Sequence, residues 1–366
     1  MKELPSPIDA RREVVERFRA RLTPEIARLG KLQPAIARQF VPDAAELIEF
    51  GGTDAPFEEG KLNHGIYGLE RLYRDRAVIT PYFDCAAYCR YCFKKTRTLA
   101  GEGRRMTLGD IEQACAYIER DAQIRIVLIT GGDPLTDIPL LKQTLDRVVT
   151  IPHVTAIRVG TRNILFQPEA LTDGVADFLA GYNRIDCDKL RESKSLSVAF
   201  SLNHADEISP AVARAVRRLV NRGITVRGQV TLLKGVNDDP AVMLDLYAVF
   251  AAVGIVPYYL YHCMPVVGTA HFRTTVQRGL DILKELAPLS GAMAPTYVYV
   301  TPVGKHRLAV GHRLEYSDIA GQRYVRAQSV YRARDFLEFT GKDKLPPFHE
   351  ADEQGWVISH YLDGQD

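Results

Sequence analysis

From about residue 77 onwards, the chain alternates short apolar runs with longer amphipathic segments. The apolar runs have the length of buried β-strands, and the apolar positions between them recur with the period of a helix. The predicted strands are 77–82, 124–130, 154–159, 196–202, 225–232 and 256–261, and the predicted helices are 108–121, 139–149, 168–179, 210–222, 240–253 and 276–286. Six β/α units in series indicate a parallel sheet with helices outside, either an open sheet or a partial barrel. Consecutive right-handed crossovers favour the barrel, so we expect an α/β fold of the (β/α)6 partial-barrel type.

The two ends of the chain follow different patterns. Helical periodicity around residues 8–28 and 44–50, broken by proline and glycine, predicts a helical N-terminal layer that acts as a cap or an oligomer contact. Residues 295–305 have the pattern of one further strand, and the tail alternates strand-like and polar pieces, which suggests a closing flap or interface element. We therefore expect three parts: an N-terminal segment 1–65, a barrel 66–310 and a C-terminal extension 311–366.

Composition and charge exclude several classes of protein. The net charge of +2 and the isoelectric point near 8.1 give no reason to expect nucleic acid or an anionic membrane surface as a partner. The first residues lack the apolar core of a signal peptide, and no run approaches the roughly 18 to 20 apolar residues that span a bilayer. The six cysteines do not form a disulfide framework, since three crowd into one loop and three are dispersed. We expect a cytoplasmic protein that binds neither nucleic acid nor membranes.

Three cysteines follow the first predicted strand at the spacing C-x3-C-x2-C. Cys85, Cys89 and Cys92 supply soft sulfur ligands, which suit iron–sulfur or zinc chemistry. A structural zinc site usually has four protein ligands, often in two C-x2-C pairs, and the chain contains no second pair. The spacing therefore predicts a metal centre with one coordination position left for another ligand.

Chemically distinctive residues follow every predicted strand. They are the cysteine loop, Gly131-Gly132-Asp133-Pro134, Gly160-Thr161-Arg162, Asn203-His204, Lys234-Gly235 and His262-Cys263-Met264, in strand order. The active sites of α/β barrels lie at the carboxyl ends of the strands, so these residues are predicted to converge there. Two adjacent glycines also let the backbone approach a ligand closely.

The cysteine spacing, with Tyr91 just before the last cysteine, resembles the signature of the radical S-adenosylmethionine (SAM) enzymes. Longer stretches resemble the lysine 2,3-aminomutase family, over roughly residues 65–310. These stretches are Thr130–Leu135, Gly160–Arg162, Asn203–Ile208, Gln229–Asp238, Tyr258–Cys263 and His271–Thr274. The resemblance implies a radical SAM barrel that binds a [4Fe-4S] cluster through the three cysteines, SAM on the fourth iron, and pyridoxal 5′-phosphate (PLP).

The resemblance also implies which residues bind the cofactors. For SAM, or for ordering its site, these are Tyr91, Thr130, Gly131, Gly132, Asp133, Arg162, His204 and Gln229. Lys305 would form the Schiff base with PLP, an amine reaction that suits the aldehyde, with Tyr261 close to the cofactor and Arg76 on its phosphate. The family's second phosphate arginine is replaced here by Leu72. Arg71 is the candidate substitute, although neighbouring strand residues point to opposite faces.

The substrate positions depart from the family pattern. Lys94 and Lys95 follow the third cysteine, where the family has an arginine for the substrate carboxylate. Met264 and Val300 stand where lysine-acting members have aspartates for the distal ammonium. Because an unpaired ammonium facing these two side chains is disfavoured, we predict that the substrate is not lysine and has an apolar or weakly polar side chain.

The resemblance implies a 2,3-aminomutase that moves an amino group from Cα to Cβ of a small-molecule amino acid substrate. It also implies an external electron donor such as flavodoxin or ferredoxin, and a homodimer. One alternative is a radical SAM enzyme that has lost PLP and abstracts hydrogen for epimerisation, dehydration or deamination. Another is an iron–sulfur electron-transfer or scaffold protein, which leaves the Gly131–Asp133 loop unexplained.

Overall fold

The computed structural model describes residues 7–48, 50–54, 56, 64–99, 104–289 and 293–366. Its helices are α1 (Pro7–Arg17), α2 (Pro24–Leu32), α3 (Pro34–Arg38), α4 (Lys95–Thr98), α5 (Leu108–Glu119), α6 (Ile138–Val148), α7 (Asn163–Phe166), α8 (Asp173–Ala180), α9 (Pro210–Val220), α10 (Pro240–Val253), α11 (Val276–Leu286) and α12 (Ala333–Thr340). Its strands are β1 (Leu69–Tyr73), β2 (Arg76–Ile79), β3 (Ile126–Ile129), β4 (Ala156–Thr161), β5 (Ser195–Ser201), β6 (Thr225–Leu232), β7 (Val256–His262), β8 (Thr296–Thr301), β9 (Gly304–Leu308), β10 (Glu315–Ile319), β11 (Gln322–Arg332), β12 (His349–Ala351) and β13 (Trp356–Leu362).

Nine strands form one sheet in sequence order, β1 to β9. Strands β2 to β8 are parallel neighbours, while β1 and β9 run antiparallel at the two edges. The edges approach each other, since the Lys305 Nζ of β9 lies 3.2 Å from the Tyr73 hydroxyl of β1. This nearly closed sheet confirms the predicted α/β partial barrel and adds a seventh parallel strand to the six predicted.

Side chains of the barrel strands alternate between two environments. In β2, Ala77 and Ile79 are buried and pack in the core under the helices, whereas Arg76 and Val78 are only half-buried. The same alternation holds in β3 and β4, because side chains of a strand point to opposite faces in turn. The half-buried set faces the interior of the barrel, called here the lumen. Arg158 of β4 belongs to this set.

Several predicted boundaries are corrected by local chemistry. The single strand predicted at residues 295–305 is a hairpin, β8 and β9, with Pro302 and Val303 in its turn. Pro302 has no N–H to donate to a ladder, and Gly304 adopts a left-handed φ of 115°. The helix predicted at 168–179 is a 3-10 turn followed by α8, because the Thr172 side chain caps α8 by accepting from Val175 N.

The two flanking parts contact the barrel differently. Helices α1 to α3 and a 3-10 turn at Ala44–Leu47 form the N-terminal layer; residues 1–6 and 57–63 of the predicted segment lie outside the described residues. The chain after β9 forms an antiparallel sheet in the order β10-β11-β13-β12, called here the C-terminal sheet. It contacts β9 through His306 Nε2, 3.1 Å from the Ser359 hydroxyl. Within the described ranges, no helix is long and apolar enough to cross a membrane.

Gly228 of β6 provides a test of the packing between sheet and helices. A Cβ at this position would lie 2.1 Å from the Phe250 ring of α10, which is fully buried and has no room to move. Gly228→Ala is expected to lower the free energy of unfolding by about 1–3 kcal/mol, measured by urea denaturation. The control is Gly174→Ala in α8, where the nearest atom is 3.7 Å away. Equal stability of both variants would contradict the packing described.

Candidate active site

Three cysteine side chains lie in the loop that follows β2. Cys85, Cys89 and Cys92 are free thiols. Burial raises the pKa of Cys85, and Asp133 and the two neighbouring cysteines raise it further, so the sulfurs share one pocket. Among the described residues, no group of three or more side chains is arranged for a single metal ion. The cysteines of an iron–sulfur cluster each bind a different iron, so they need not converge on one metal position. Three soft sulfur ligands suit such a cluster.

A buried ion cluster anchors the cysteine loop to the N-terminal layer. Arg90, between the second and third cysteines, contacts both oxygens of Glu46 at 2.7 and 2.8 Å. Lys95 Nζ lies 2.5 Å from the same carboxylate and also donates to the backbone oxygens of Arg90 and Gly268. All three charged side chains are 0% exposed. In this structure the Lys95 amine is thus engaged within the ion cluster, and its contact with a substrate stays a prediction.

Arg162 connects the second cysteine to the carboxyl ends of β4 and β5. Its Nη1 lies 3.2 Å from Cys89 Sγ, and its Nη2 donates to Gln39 and Glu207 at 2.8 Å each. The Nε atom is buried and has no partner among the described residues. A buried donor without an acceptor is costly, so this position beside the sulfur can receive a ligand acceptor.

Tyr91 is fixed through its hydroxyl. Asn203 donates to it at 2.6 Å and to Gln39 at 3.0 Å, which joins the tyrosine to the Arg162 network. The Asn203 backbone N–H donates to Glu207 at 2.7 Å. The predicted residue Tyr91 therefore lies with Arg162 at the carboxyl ends of the strands.

The glycine loop after β3 packs against the start of the cysteine loop. Gly132 N donates to Tyr82 O at 2.8 Å, and a Cβ on Gly132 would lie 2.2 Å from Asp84 O. Asp133 is buried and accepts from the Thr161 hydroxyl at 2.6 Å and from Arg162 N at 2.6 Å. Burial raises the pKa of Asp133 to about 6. Close backbone packing thus accounts for the glycines, and Asp133 joins this loop to β4.

Three further predicted residues lie on the same side of the barrel. Thr130 donates to Gly160 O at 3.3 Å. His204 accepts from Asp206 N through Nδ1 at 3.2 Å and so caps a 3-10 turn. Gln229 is half-buried in β6, and its backbone oxygen accepts from Leu202 N at 3.1 Å.

Lys305 occupies the lumen beside three tyrosines. Its Nζ donates to Tyr73 at 3.2 Å and lies 5.3 Å from the ring centroid of Tyr259 and 5.9 Å from that of Tyr261. Burial, and after it the positive charges of nearby arginines, lower the pKa of Lys305 to about 7. The amine is therefore largely neutral at physiological pH, which suits a nucleophile.

Only one of the two predicted phosphate arginines lies near Lys305. Arg76 is one of the charges that lower the Lys305 pKa. Arg71 points to the other face of β1, where its guanidinium contacts Asp121 at 2.7 Å and the Tyr117 hydroxyl at 3.0 Å. The structure therefore does not bring Arg71 and Arg76 together: Arg71 lies on the core face of β1, which it shares with Leu69, whereas Arg76 of β2 faces the lumen.

The predicted substrate residues fall into two groups. Lys94 reaches from the cysteine loop to β1, where its Nζ lies 2.6 Å from Glu70, and it is almost fully buried. Val300 pairs directly with Lys305 across the β8–β9 hairpin. Met264 lies just beyond β7, and its backbone oxygen accepts from Thr269.

Sequence reasoning missed four residues that shape these sites. Glu46 and Gln39 come from the N-terminal layer, where no motif marks them. Glu70 and Tyr73 belong to β1, a strand with charges at its centre that lacks the apolar pattern of the other strands. The only sequence signal for β1 is a weak two-residue alternation of apolar and polar side chains over residues 69–73.

Comparisons with known proteins agree with these features. The radical SAM superfamily profile matches residues 79–247. Over 280 residues the chain is 39% identical to a protein of Aquifex aeolicus provisionally named L-lysine 2,3-aminomutase, covering 75% of this chain and 71% of that protein. It is 33% identical over 238 residues to a glutamate 2,3-aminomutase of Clostridioides difficile, covering 64% and 54%. It is 33% identical over 289 residues to an L-lysine 2,3-aminomutase of Methanococcus maripaludis, covering 78% and 63%. The chain thus spans less than two thirds of the last two proteins.

The buried ion cluster yields a stability prediction. Glu46→Gln leaves Arg90 and Lys95 buried without a carboxylate, and such a change typically lowers the free energy of unfolding by about 3–5 kcal/mol. The control is Glu16→Gln, which breaks the exposed pair of Arg12 and Glu16. This substitution is expected to change the free energy of unfolding by about 0.5 kcal/mol or less. Urea unfolding followed by circular dichroism measures both. A loss for Glu46→Gln no larger than that for Glu16→Gln would disprove the anchoring role.

Proposed function

Because the chain belongs to the lysine 2,3-aminomutase family of radical SAM enzymes, we propose that it is an amino acid 2,3-aminomutase that moves an amino group from Cα to Cβ. The observation that carries the proposal is Lys305, a half-buried amine in the lumen of a barrel whose strand ends hold the three cysteines. A lysine of lowered pKa is the group that an aldehyde cofactor requires.

The family implies a [4Fe-4S] cluster and SAM. We propose that Cys85, Cys89 and Cys92 hold the cluster, which when bound supplies the electron that cleaves SAM to a carbon radical. Arg162 orients the second thiolate and leaves its Nε for an acceptor on the ligand. Tyr91, Thr130, Gly131, Gly132, Asp133, His204 and Gln229 complete the proposed SAM side, to which an external flavodoxin or ferredoxin would deliver the electron.

PLP is the second cofactor that we propose, and when bound it supplies an aldehyde and an electron-accepting ring. The residues fit it: Lys305 offers a neutral amine, and Arg76 offers a charge-assisted donor for the phosphate. Tyr261 is half-buried and Tyr259 is buried, and together they cover one side of the amine and restrict the access of water to it.

The substrate that we propose is a free amino acid with an apolar or weakly polar side chain. Val300 and Met264 offer no carboxylate for a distal ammonium. Lys94 is the remaining candidate for the substrate carboxylate, although Glu70 holds it in this structure. We further propose that the protein is a cytoplasmic homodimer. Each chain would consist of an N-terminal segment 1–65, a barrel 66–310 and a C-terminal extension 311–366.

A second candidate is a radical SAM enzyme of the same family that works without PLP. Leu72 and the outward direction of Arg71 favour it, because they remove one arginine from the expected phosphate site. Such an enzyme would abstract hydrogen for epimerisation, dehydration or deamination.

The lowered pKa of Lys305 gives a test that needs no cofactor. Below a pH of about 7 the amine is protonated and unreactive, and above it the amine is neutral, whereas the ordinary value is 10.5. Competitive acetylation with peptide mass spectrometry should therefore show Lys305 reactivity rising up to about pH 7 and then levelling off. Lys189, which is exposed, provides the reference for reagent decay. Reactivity that climbs only near pH 10.5 would contradict the buried site.

Cluster binding and substrate choice give a second test. Anaerobically reconstituted protein should carry about four irons and cleave SAM after reduction with dithionite. Cys89→Ala should abolish cleavage because it removes an iron ligand, while Cys187→Ala, at an exposed cysteine, should leave it intact.

After PLP loading, apolar amino acids should be converted to their β-isomers and lysine should not, as chromatography with mass spectrometry would show. A borohydride-reducible visible absorbance should be present in the native chain and absent in Lys305→Ala. Conversion of lysine in preference to apolar amino acids would refute the predicted substrate class. SAM cleavage without that absorbance would favour the second candidate.

A further inference from the structure

Positive charge is concentrated in the lumen around Lys305. Arg76 of β2, Arg158 of β4 and Arg307 of β9 are the three charges that, after burial, lower the Lys305 pKa. The three residues come from three different strands of the nine-stranded sheet, and Arg307 is exposed. Arg227 of β6 adds a fourth charge close by.

Tyrosine rings fill the space between these cations. The Tyr258 ring has the Arg158 guanidinium carbon 5.0 Å from its centroid and that of Arg227 at 5.1 Å. Burial by itself would raise the pKa of Tyr258, yet the pKa is lowered, and Arg158 is the largest cause of that lowering. Two guanidinium groups thus lie against one phenol ring.

Carboxylates balance this charge only in part: Glu315 and Asp352 line the adjoining cavity together with Asp75, and Glu315 is paired with Arg326. Asp75 pairs with Arg76 at 2.8 Å but is 50% exposed. Across the described ranges, Arg158, Arg227 and Arg307 form no ion pair with any Asp or Glu. Like charges held together in a partly buried space repel one another, so an anion bound there would be stabilised by all of them.

A cavity of matching size adjoins these residues. Its volume is about 790 Å³, within the range of small-molecule sites, and its lining includes Arg76, Lys305 and Arg307. The far wall comes from the C-terminal sheet, including Gln328 and Tyr331. The cavity therefore gives a ligand room beside the Lys305 amine, Arg76 and Arg307 at the same time, while Arg158 lies behind its lining.

We propose that Arg307 and Arg76, supported by the charge of Arg158, form a subsite for a phosphate monoester dianion in the lumen. The assignment rests on the proposed function in taking the phosphate of PLP as its first ligand, with Arg307 and Arg158 taking over from the arginine missing at Leu72. Guanidinium groups suit this ligand because each can donate two parallel hydrogen bonds to phosphate oxygens. The same chemistry would hold a phosphate carried by the substrate.

The test measures binding, not turnover. Three ligands, PLP, pyridoxal and inorganic phosphate, are titrated into the cluster-loaded native chain and into its variants Arg307→Gln and Arg158→Gln. Absorbance measures binding of the two aldehydes, and calorimetry measures binding of phosphate. Loss of one charge-assisted contact should weaken PLP binding about tenfold to a hundredfold and leave pyridoxal unchanged. The control is Arg326→Gln, which lines the same cavity but pairs with Glu315 at 3.1 Å and should change neither.

The outcomes separate the two sources of phosphate. Selective weakening of PLP assigns the subsite to the cofactor. If the native chain binds PLP and pyridoxal with equal affinity, and both variants bind inorganic phosphate more weakly than the native chain does, the subsite is supported and is assigned to a phosphate on the substrate. If neither PLP nor phosphate responds to either substitution, the subsite is overturned.

Two further variants keep the test independent of folding and of the proposed function. Arg307→Lys keeps the charge but loses the bidentate geometry, so PLP affinity should fall between the native chain and Arg307→Gln. Lys305→Ala removes the amine and should retain phosphate affinity. Phosphate binding that depends on Arg307, in a chain that never forms a borohydride-reducible linkage, would sustain the subsite and defeat the aminomutase proposal. A borohydride-reducible linkage in a chain whose phosphate binding does not depend on Arg307 would sustain the aminomutase proposal and defeat the subsite.

Discussion

The alternation of side chains along the parallel strands separates an apolar core under the helices from a lumen that contains charged side chains. Residues of one parity pack under the helices and form the core, as Ala77 and Ile79 do. Residues of the other parity face the lumen, where apolar packing is incomplete and charged side chains are tolerated. A shift of one residue in any strand would exchange the two sets. Arg71 and Arg76 illustrate the rule, because one contacts α5 outside the sheet and the other faces Lys305.

Charge is distributed by two different principles in the two sites. At the cysteine loop every buried cation has a carboxylate: Arg90 and Lys95 share Glu46, and Arg162 has Glu207. These ion clusters fix geometry, and the loop can therefore present its sulfurs without help from a ligand. In the lumen the guanidinium groups of Arg158 and Arg307 have no carboxylate partner within the part of the chain that the structure describes. The first site is held together internally, whereas the second is the one for which we propose an anion as the missing partner.

Much of the barrel follows from the sequence, since apolar runs and helix caps are local signals. Strand β6 and helices α10 and α11 have the boundaries that periodicity predicts. The carboxyl-end rule also located the residues that surround the cysteines. The interactions that fix the loop were not predictable, because Gln39 and Glu46 lie far from it in sequence. The lumen arginines carry no motif, and they become a group only when strands on different sides of the barrel face one another.

The wall that the C-terminal sheet adds to the Lys305 cavity has a consequence for assembly. Chains fold progressively as they leave the ribosome, with the early parts first. The cysteine loop and its N-terminal cover precede β11 and β13, which wall the amine, in the order of the chain. On this principle the residues around the cysteines emerge before the wall that encloses Lys305, and the chamber is completed only when β13 adds to the sheet.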